Sequence, residues 1–361
     1  MCFPQPRNVR AALLACARPG MKGKAMHQQH VRKIFVAIML LVAGGSMTAD
    51  PVLAQGGAVP PAEKVLVRFT WKLYGVYAPL YVALDKGYFA QEGLSVELAE
   101  GSGSENVVKL IATGTDKIGF GTGIVAAEAI SAGLPVKVIA NYMASNPLGL
   151  ISFPEIPLKT PKDLEGKTVG LATGETFANM IEPFARINGV DVSKVKRIQF
   201  DGATRNAQFV ARKIDVISVY LNNDLPLLAS KLNVKFNVLN AADFGLKLMG
   251  TSYFVNNGYA KDHPETLRKL LRATARGYAD AIRNPTEATA MLNARMTVKM
   301  DPAVLETQVR ETLAATTVPD RKPLGWQDDA LWKFNLALLV AGGDIREVKE
   351  LKAYYTNEYL Q

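Results

Sequence analysis

From Val65 onward, short apolar runs alternate with stretches whose apolar residues recur at helical spacing, and turn-forming residues punctuate the two. Val65 to Trp71 predicts a strand, Pro79 to Lys86 a helix stopped by Gly87, and Ser95 to Leu98 a second strand. Ser102-Gly103-Ser104-Glu105 has the spacing of a capping box, in which a hydroxyl and a carboxylate three residues apart each satisfy a free amide at a helix start. It predicts a helix through Ile111. Lys117 to Phe120 then reads as a strand, Thr122 as the N-cap of a helix over Ile124 to Ile130, and Val136 to Tyr142 as a buried strand.

A second unit begins near Pro154. Thr160-Pro161 marks a helix start, Lys167 to Leu171 a strand, and Thr173 to Thr176 a turn into a helix reaching about Ile187. Strands at 195–200, 215–220 and 234–239 alternate with helices at 203–212 and 224–231, and an apolar strand spans Leu246 to Asn256. From His263 the pattern is helical, with Leu267, Leu270, Leu271, Tyr278 and Ile282 on one stripe and Thr274 its polar member; further helices are predicted over 286–297, 301–313 and 327–341. The alternation predicts an α/β fold with a mainly parallel sheet. We divide it into one lobe of residues 64–145 and 254–361 and a second of 146–253. Crossovers near Asn141–Phe153 and Leu248–Asn256 would join them around a ligand-binding cleft.

The N-terminus reads as an address. Arg32-Lys33 precede ten apolar residues, Ile34 to Ala43, and small residues follow through Pro51-Val52-Leu53-Ala54. This predicts a secretory signal peptide over residues 1–54, with an extended upstream part, cleavage after Ala54 and export to the periplasm. The apolar run is half of the roughly 20 residues that span a bilayer. Met21 and Met26 are alternative starts, and residues 55–63 form a Gly/Pro/Ala-rich lead-in.

Composition changes meaning once this segment is set aside. The whole chain has 361 residues, 42 Lys+Arg, 33 Asp+Glu and a net charge of +9. Seven of the basic residues and one of the acidic ones precede residue 55, so 35 and 32 remain, a net of +3. Both cysteines, Cys2 and Cys16, and two of three histidines also lie there. The body therefore lacks the residues for a disulfide framework, a Cys/His zinc site or a cysteine nucleophile. His263 stands in a helix-start sequence, and no G-x-S-x-G elbow or phosphate loop occurs. Gly121-Thr122-Gly123-Ile124-Val125-Ala126 matches a dinucleotide fingerprint, but the next strand ends without the acidic residue that would hold a ribose. Close approach of a ligand or backbone to a helix start is the better reading of those glycines. No basic run interleaved with aromatics suggests nucleic acid. No cofactor is predicted.

What the chain does carry is a set of polar and aromatic residues at strand-to-helix turns, which crowd one edge of an open α/β sheet. On the first lobe these are Trp71, Tyr74 and Tyr77, then Ser102, Ser104 and Glu105, then Gly121 and Thr122. The second lobe offers Thr173, Gly174, Glu175 and Thr176, then the group Asn222, Asn223 and Asp224, and the crossover adds Ser145 and Asn146. Aromatic rings give walls for a planar ligand, helix starts give amides for an anionic one, and Glu175 or Asp224 could accept from an amino group. Each has a plainer role too: Trp71 and Tyr81 as core, Ser102, Thr122 and Thr173 as caps.

At these residues the sequence resembles a known family. Trp71 to Phe89 (WKLYGVYAPLYVALDKGYF), Gln91 to Val96 (QEGLSV), the glycine-rich turn Gly101 to Glu105, Gly114 to Gly119 and Pro161 to Gly170 (PKDLEGKTVG) are similar to motifs of the thiamine-pyrimidine-precursor family of solute-binding proteins, relatives of the nitrate and sulfonate/taurine receptors. The resemblance implies a type II-like periplasmic-binding-protein fold whose lobes close by a hinge on a small ligand, then dock onto an ABC permease in the inner membrane. It implies a receptor and not an enzyme, acting as a monomer, with Trp71 as a ligand-stacking ring. The tyrosines at 74 and 77 leave a pyrimidine, an aromatic carboxylate and a sulfonate all open as ligands. Delivery to a membrane kinase is one alternative. A pyrimidine synthase that consumes its own histidine is another, weighed against by the export signal and the single remaining histidine.

Overall fold

The computed structural model describes residues 62–360, so the predicted signal peptide lies outside it. The described strands form two five-stranded sheets. The first holds β1 (Glu63–Phe69), β2 (Leu94–Ala99), β3 (Ile118–Thr122), β4 (Val136–Asn141) and a late strand, β10 (Thr251–Asn256). The second holds β5 (Leu148–Ser152), β6 (Thr168–Ala172), β7 (Lys196–Phe200), β8 (Val216–Tyr220) and β9 (Asn237–Asn240). Around the first sheet lie α1 (Ala78–Asp85), α2 (Tyr88–Gln91), α3 (Ser104–Ala112) and α4 (Gly123–Ser131), and α5 (Thr176–Ile187), α6 (Gly202–Val210) and α7 (Asp224–Leu232) serve the second. The C-terminal part is helical: α8 (Asn257–Asp262), α9 (Pro264–Arg283), α10 (Pro285–Arg295), α11 (Pro302–Ala314), α12 (Asp329–Gly342) and α13 (Leu351–Tyr354).

Both sheets follow one plan. Their strand orders are β2-β1-β3-β10-β4 and β7-β6-β8-β5-β9, with the first three strands parallel and the fourth antiparallel to both neighbours. The reversed strand is in each case the one by which the chain changes sheets: β5 follows β4 into the second, and β10 returns to the first. The expected parallel character therefore holds with one exception per sheet. One of these reversed strands, β5, is not predicted from the sequence, where residues 148–152 fall in the expected crossover. All five β5 residues are buried between two partners. A fully buried strand shows no alternation, and five apolar-rich residues near prolines look like a linker. Conversely, Leu246 to Gly250 precedes β10 as irregular chain, although Leu246, Leu248 and Met249 are buried.

Packing follows the stripes. In α9, Leu267, Leu270, Leu271 and Tyr278 enter the core of the first sheet, and the buried Thr274 hydroxyl is satisfied at 3.1 Å by that of Tyr253. Ile282, expected on that stripe, is exposed at the end of the helix. Helices α9 and α1 touch so closely at Gly277 that an added Cβ would stand 2.3 Å from the Pro79 carbonyl oxygen. Gly277→Ala is accordingly expected to cost about 2–3 kcal/mol in urea unfolding, the price of overpacking against backbone that cannot swing aside. On the opposite face of the first sheet, a continuous core runs from α3 and α4 through Trp332, Leu336 and Leu339 of α12 to Phe177, Met180 and Phe184 of α5. Helix α12 thus braces both sheets from behind, and the Asn335 side chain accepts the Met249 amide of the returning segment at 2.7 Å.

Candidate functional site

The C-terminal ends of β1, β3, β6 and β8, with the start of antiparallel β10, face one cleft between the sheets. Of the residues singled out from sequence, Trp71, Tyr74, Tyr77, Ser104, Gly121, Thr122, Asn146, Gly174, Glu175, Asn222 and Asp224 line it.

The turn after β1 sets the aromatic wall. Tyr77 is buried with its ring stacked on Phe69 at 4.0 Å between centroids, and its hydroxyl accepts the Trp71 amide at 3.2 Å. One edge of Tyr77 is therefore core and the other cleft. Trp71 is not core: β1 ends at Phe69, and the half-buried indole reaches the second lobe, where a Cβ on Gly202 would stand 3.0 Å from it. Tyr81, by contrast, is buried against Phe69.

A chain of hydroxyls crosses the cleft. Thr122 Oγ1 lies 3.3 Å from Ser104 Oγ and 3.4 Å from the Tyr220 hydroxyl, which lies 2.9 Å from Thr176 Oγ1. Thr122 is the N-cap residue of α4 in backbone terms, yet its side chain serves this chain of contacts instead of the helix. Thr176 stands behind Tyr220 and does not line the cleft. Burial raises the Tyr74, Tyr77 and Tyr220 hydroxyls above the ordinary phenol range, so all three remain neutral donor–acceptors. The Gly-x-Gly segment has a packing explanation: a Cβ on Gly121 would meet Thr70, and one on Gly123 would meet Ser252 Oγ at 2.5 Å.

The second lobe supplies charge. Arg205, with its side chain 5% exposed, donates from Nη1 to Glu175 Oε2 at 2.5 Å, and its Nη2 lies 4.0 Å from Asp224 Oδ1. Its Nε and Nη2 also donate to Asn206 Oδ1, and Ser218 donates to the other Glu175 oxygen. Asp224 Oδ2 accepts the Tyr220 amide at 3.0 Å. Burial pushes the Glu175 and Asp224 carboxyls up, and the Arg205 guanidinium opposes it. One cation thus faces two carboxyls, and its donors are largely spent on its own lobe. Beside them, the side-chain oxygens of Asn222 and Asn223 are buried without a hydrogen-bond partner among the described residues. The wall is rich in acceptors.

Besides Thr176, four expected residues do not line the cleft. Ser102 is exposed and no capping box forms: α3 starts at Ser104, because Gly103, at φ 123°, turns its amide back to the Thr70 carbonyl at 2.8 Å. Glu105 pairs with Lys109 at 2.6 Å. Ser145 is exposed, and Thr173 binds the Phe200 carbonyl from the surface. Asn223, expected as part of the Asn222–Asp224 group, lines the cleft, as do Arg205 and Tyr220, which the sequence reading does not single out. Arg205 is the one charged residue of α6 and reads as a solvated side chain, although a first-turn position after β7 already places it at this edge.

Comparison with known proteins fits this geometry. The chain is 27% identical over 341 residues to the riboflavin-binding protein RibY of Chloroflexus aurantiacus, covering 91% of this chain and 96% of that one. It is 27% identical over 276 residues to the formylaminopyrimidine-binding protein of Halalkalibacterium halodurans, covering 75% and 83%. A 4-amino-5-hydroxymethyl-2-methylpyrimidine phosphate synthase of Legionella pneumophila is 25% identical over 233 residues, 64% and 73% of the two chains. Among solved structures, the alkanesulfonate-binding protein SsuA of Xanthomonas axonopodis, bound to MOPS, superposes with a TM-score of 0.65 at 17% identity, covering 83% of this chain and all of that one. The nitrate-binding protein NrtA of Synechocystis gives 0.63 at 15%, covering 84% and 88%. These last two share the periplasmic-binding-protein fold. The NMT1/THI5-like family model matches residues 75–288, more than half of the chain, and the chain belongs to that family.

Proposed function

We propose that the protein is a periplasmic receptor that binds a planar, N–H-bearing heterocycle between its lobes and delivers it to an inner-membrane ABC permease as a monomer. The observation that carries this reading is the composition of the cleft: Trp71, Tyr74 and Tyr77 on one side, and the acceptors Asn222, Asn223 and Asp224 on the other. Flat rings complement a flat ligand, and buried acceptors want donors. A flavin and an aminopyrimidine, the ligands in the names of two relatives, both have a ring face and N–H groups. A pyrimidine synthase is the second reading, favoured by the names of other relatives. Within the described residues the one histidine, His263, lies 3.4 Å from Glu63 and stacks on Tyr259, away from the cleft.

Isothermal titration of the purified protein with riboflavin, formylaminopyrimidine, sulfonates and aromatic acids tests the proposal. Binding of a heterocycle below millimolar supports it, and binding of none of these solutes sinks it. Trp71→Ala should weaken heterocycle binding by about 1–3 kcal/mol through lost stacking. Unchanged affinity with a lowered melting temperature would return Trp71 to a purely structural role.

A further inference from the structure

We infer that Gln308 is a positioning residue that ties the aromatic wall of the cleft to its amide wall and latches the two lobes together. The inference concerns a residue that does not itself line the cleft, and only its ligand arm rests on the receptor reading.

Gln308 is fully buried on α11, a helix whose Leu305 and Val309 belong to the core of the first lobe. Its Oε1 accepts the Gly75 amide at 3.1 Å, and its Nε2 donates to the Asn223 carbonyl at 2.7 Å. Gly75 sits between Tyr74 and Val76 in the aromatic turn, and Asn223 sits between Asn222 and Asp224 on the other lobe. One amide group therefore holds the centre of each wall. The approach is as close as backbone permits: a Cβ at Gly75 would stand 2.5 Å from that of Gln308, so this turn reaches α11 only as glycine. One turn further along α11, the buried Thr312 hydroxyl meets Asn222 Nδ2 at 3.0 Å. That second contact constrains the neighbouring acceptor.

The physical consequence is a two-state element. With the lobes as they stand, both halves of the Gln308 amide are satisfied in a dry environment. Separating the second lobe from α11 leaves Nε2 and the Asn223 carbonyl without each other, and a buried unpaired amide is costly until water reaches it. Closing the cleft thus reforms a bond that also fixes where Asn222 and Asp224 stand relative to Tyr74.

Hydrogen exchange read by mass spectrometry on the full chain tests this without any ligand. Gln308→Met fills the space and removes both bonds. In the peptide covering Gly75, that residue's amide loses its acceptor directly and should exchange about tenfold faster. The 221–226 peptide should also exchange faster, because its segment opens more readily once the Asn223 carbonyl has lost its donor. Gln308→Glu keeps the acceptor for Gly75 and, when ionised, lacks the donor for Asn223. Only the 221–226 peptide should then accelerate. Equal acceleration of both peptides in both variants, or wild-type protection in the Met variant, overturns the inference. In the ligand arm, riboflavin or formylaminopyrimidine should leave the Met variant about tenfold faster with little change in association. If neither probe binds the wild-type protein, the receptor reading fails while the exchange result still decides on Gln308.

Discussion

Arg205→Ala is expected to lower stability by about 3–5 kcal/mol at neutral pH, because it removes the one cation from a buried cluster of two carboxyls. Glu175 is 12% and Asp224 9% exposed at the side chain, so water screens neither well. In the wild-type protein both carboxyls already titrate above their ordinary values, burial being the leading cause and Arg205 the opposing one. Without Arg205 the folded-state values move further up. A carboxyl whose folded pKa exceeds its unfolded one contributes a penalty that is absent below the unfolded value, near 4, and grows as pH rises toward the folded value. The deficit should therefore be smallest in acid, where both carboxyls are protonated with or without Arg205, and should grow as pH rises. Urea unfolding of the variant and wild type at pH 5 and pH 8 checks this. A deficit that is the same at both pH values would show that Arg205 stabilises by packing alone.

The route to this cluster shows what a sequence discloses and what it hides. Glu175 and Asp224 were legible because they stand at strand-to-helix turns, and topology alone sends such turns to one edge. Arg205 was not, since its burial depends on which way α6 rolls, and a first-turn arginine is most often solvated. The same logic separates Ser104 from Ser102. Both precede an apolar helical stripe, but which one opens the helix is set by a backbone turn at Gly103 that no spacing rule contains. The alternation of strands and helices revealed the α/β class and most element positions. It could not reveal β5, because a strand buried on both faces loses the period that identifies it. The acceptor character of Asn222 and Asn223 was also invisible: their free oxygens follow from Thr312 and Gln308 occupying neighbouring groups, ninety and eighty-five residues away in the chain. Long-range partners decide which polar atoms remain for a ligand.

Asp224 should dominate ligand choice. Asp224→Ala is expected to weaken binding of formylaminopyrimidine or riboflavin by about 2–4 kcal/mol, roughly 30- to 1000-fold, as a donor on the ligand loses a charged acceptor in a desolvated site. Asp224→Asn retains shape and one acceptor oxygen and should fall between. The same carboxylate repels anions. A sulfonate about 4 Å from this carboxylate meets a repulsion on the order of 4 kcal/mol at an effective dielectric of about 20, and Arg205 offers little relief because Glu175 pairs with it at 2.5 Å. Sulfonates should therefore bind the wild-type cleft at least about a hundredfold more weakly than the heterocycle, and Asp224→Asn should narrow that gap from both ends. Because Asp224 also accepts the Tyr220 amide, the comparison needs melting temperatures of each variant alongside the titrations. A wild-type protein that prefers a sulfonate to either heterocycle, with Asp224→Asn leaving the order unchanged, would mean that the helix starts at Ser104 and Thr176 govern recognition and that the carboxyl merely supports its own turn.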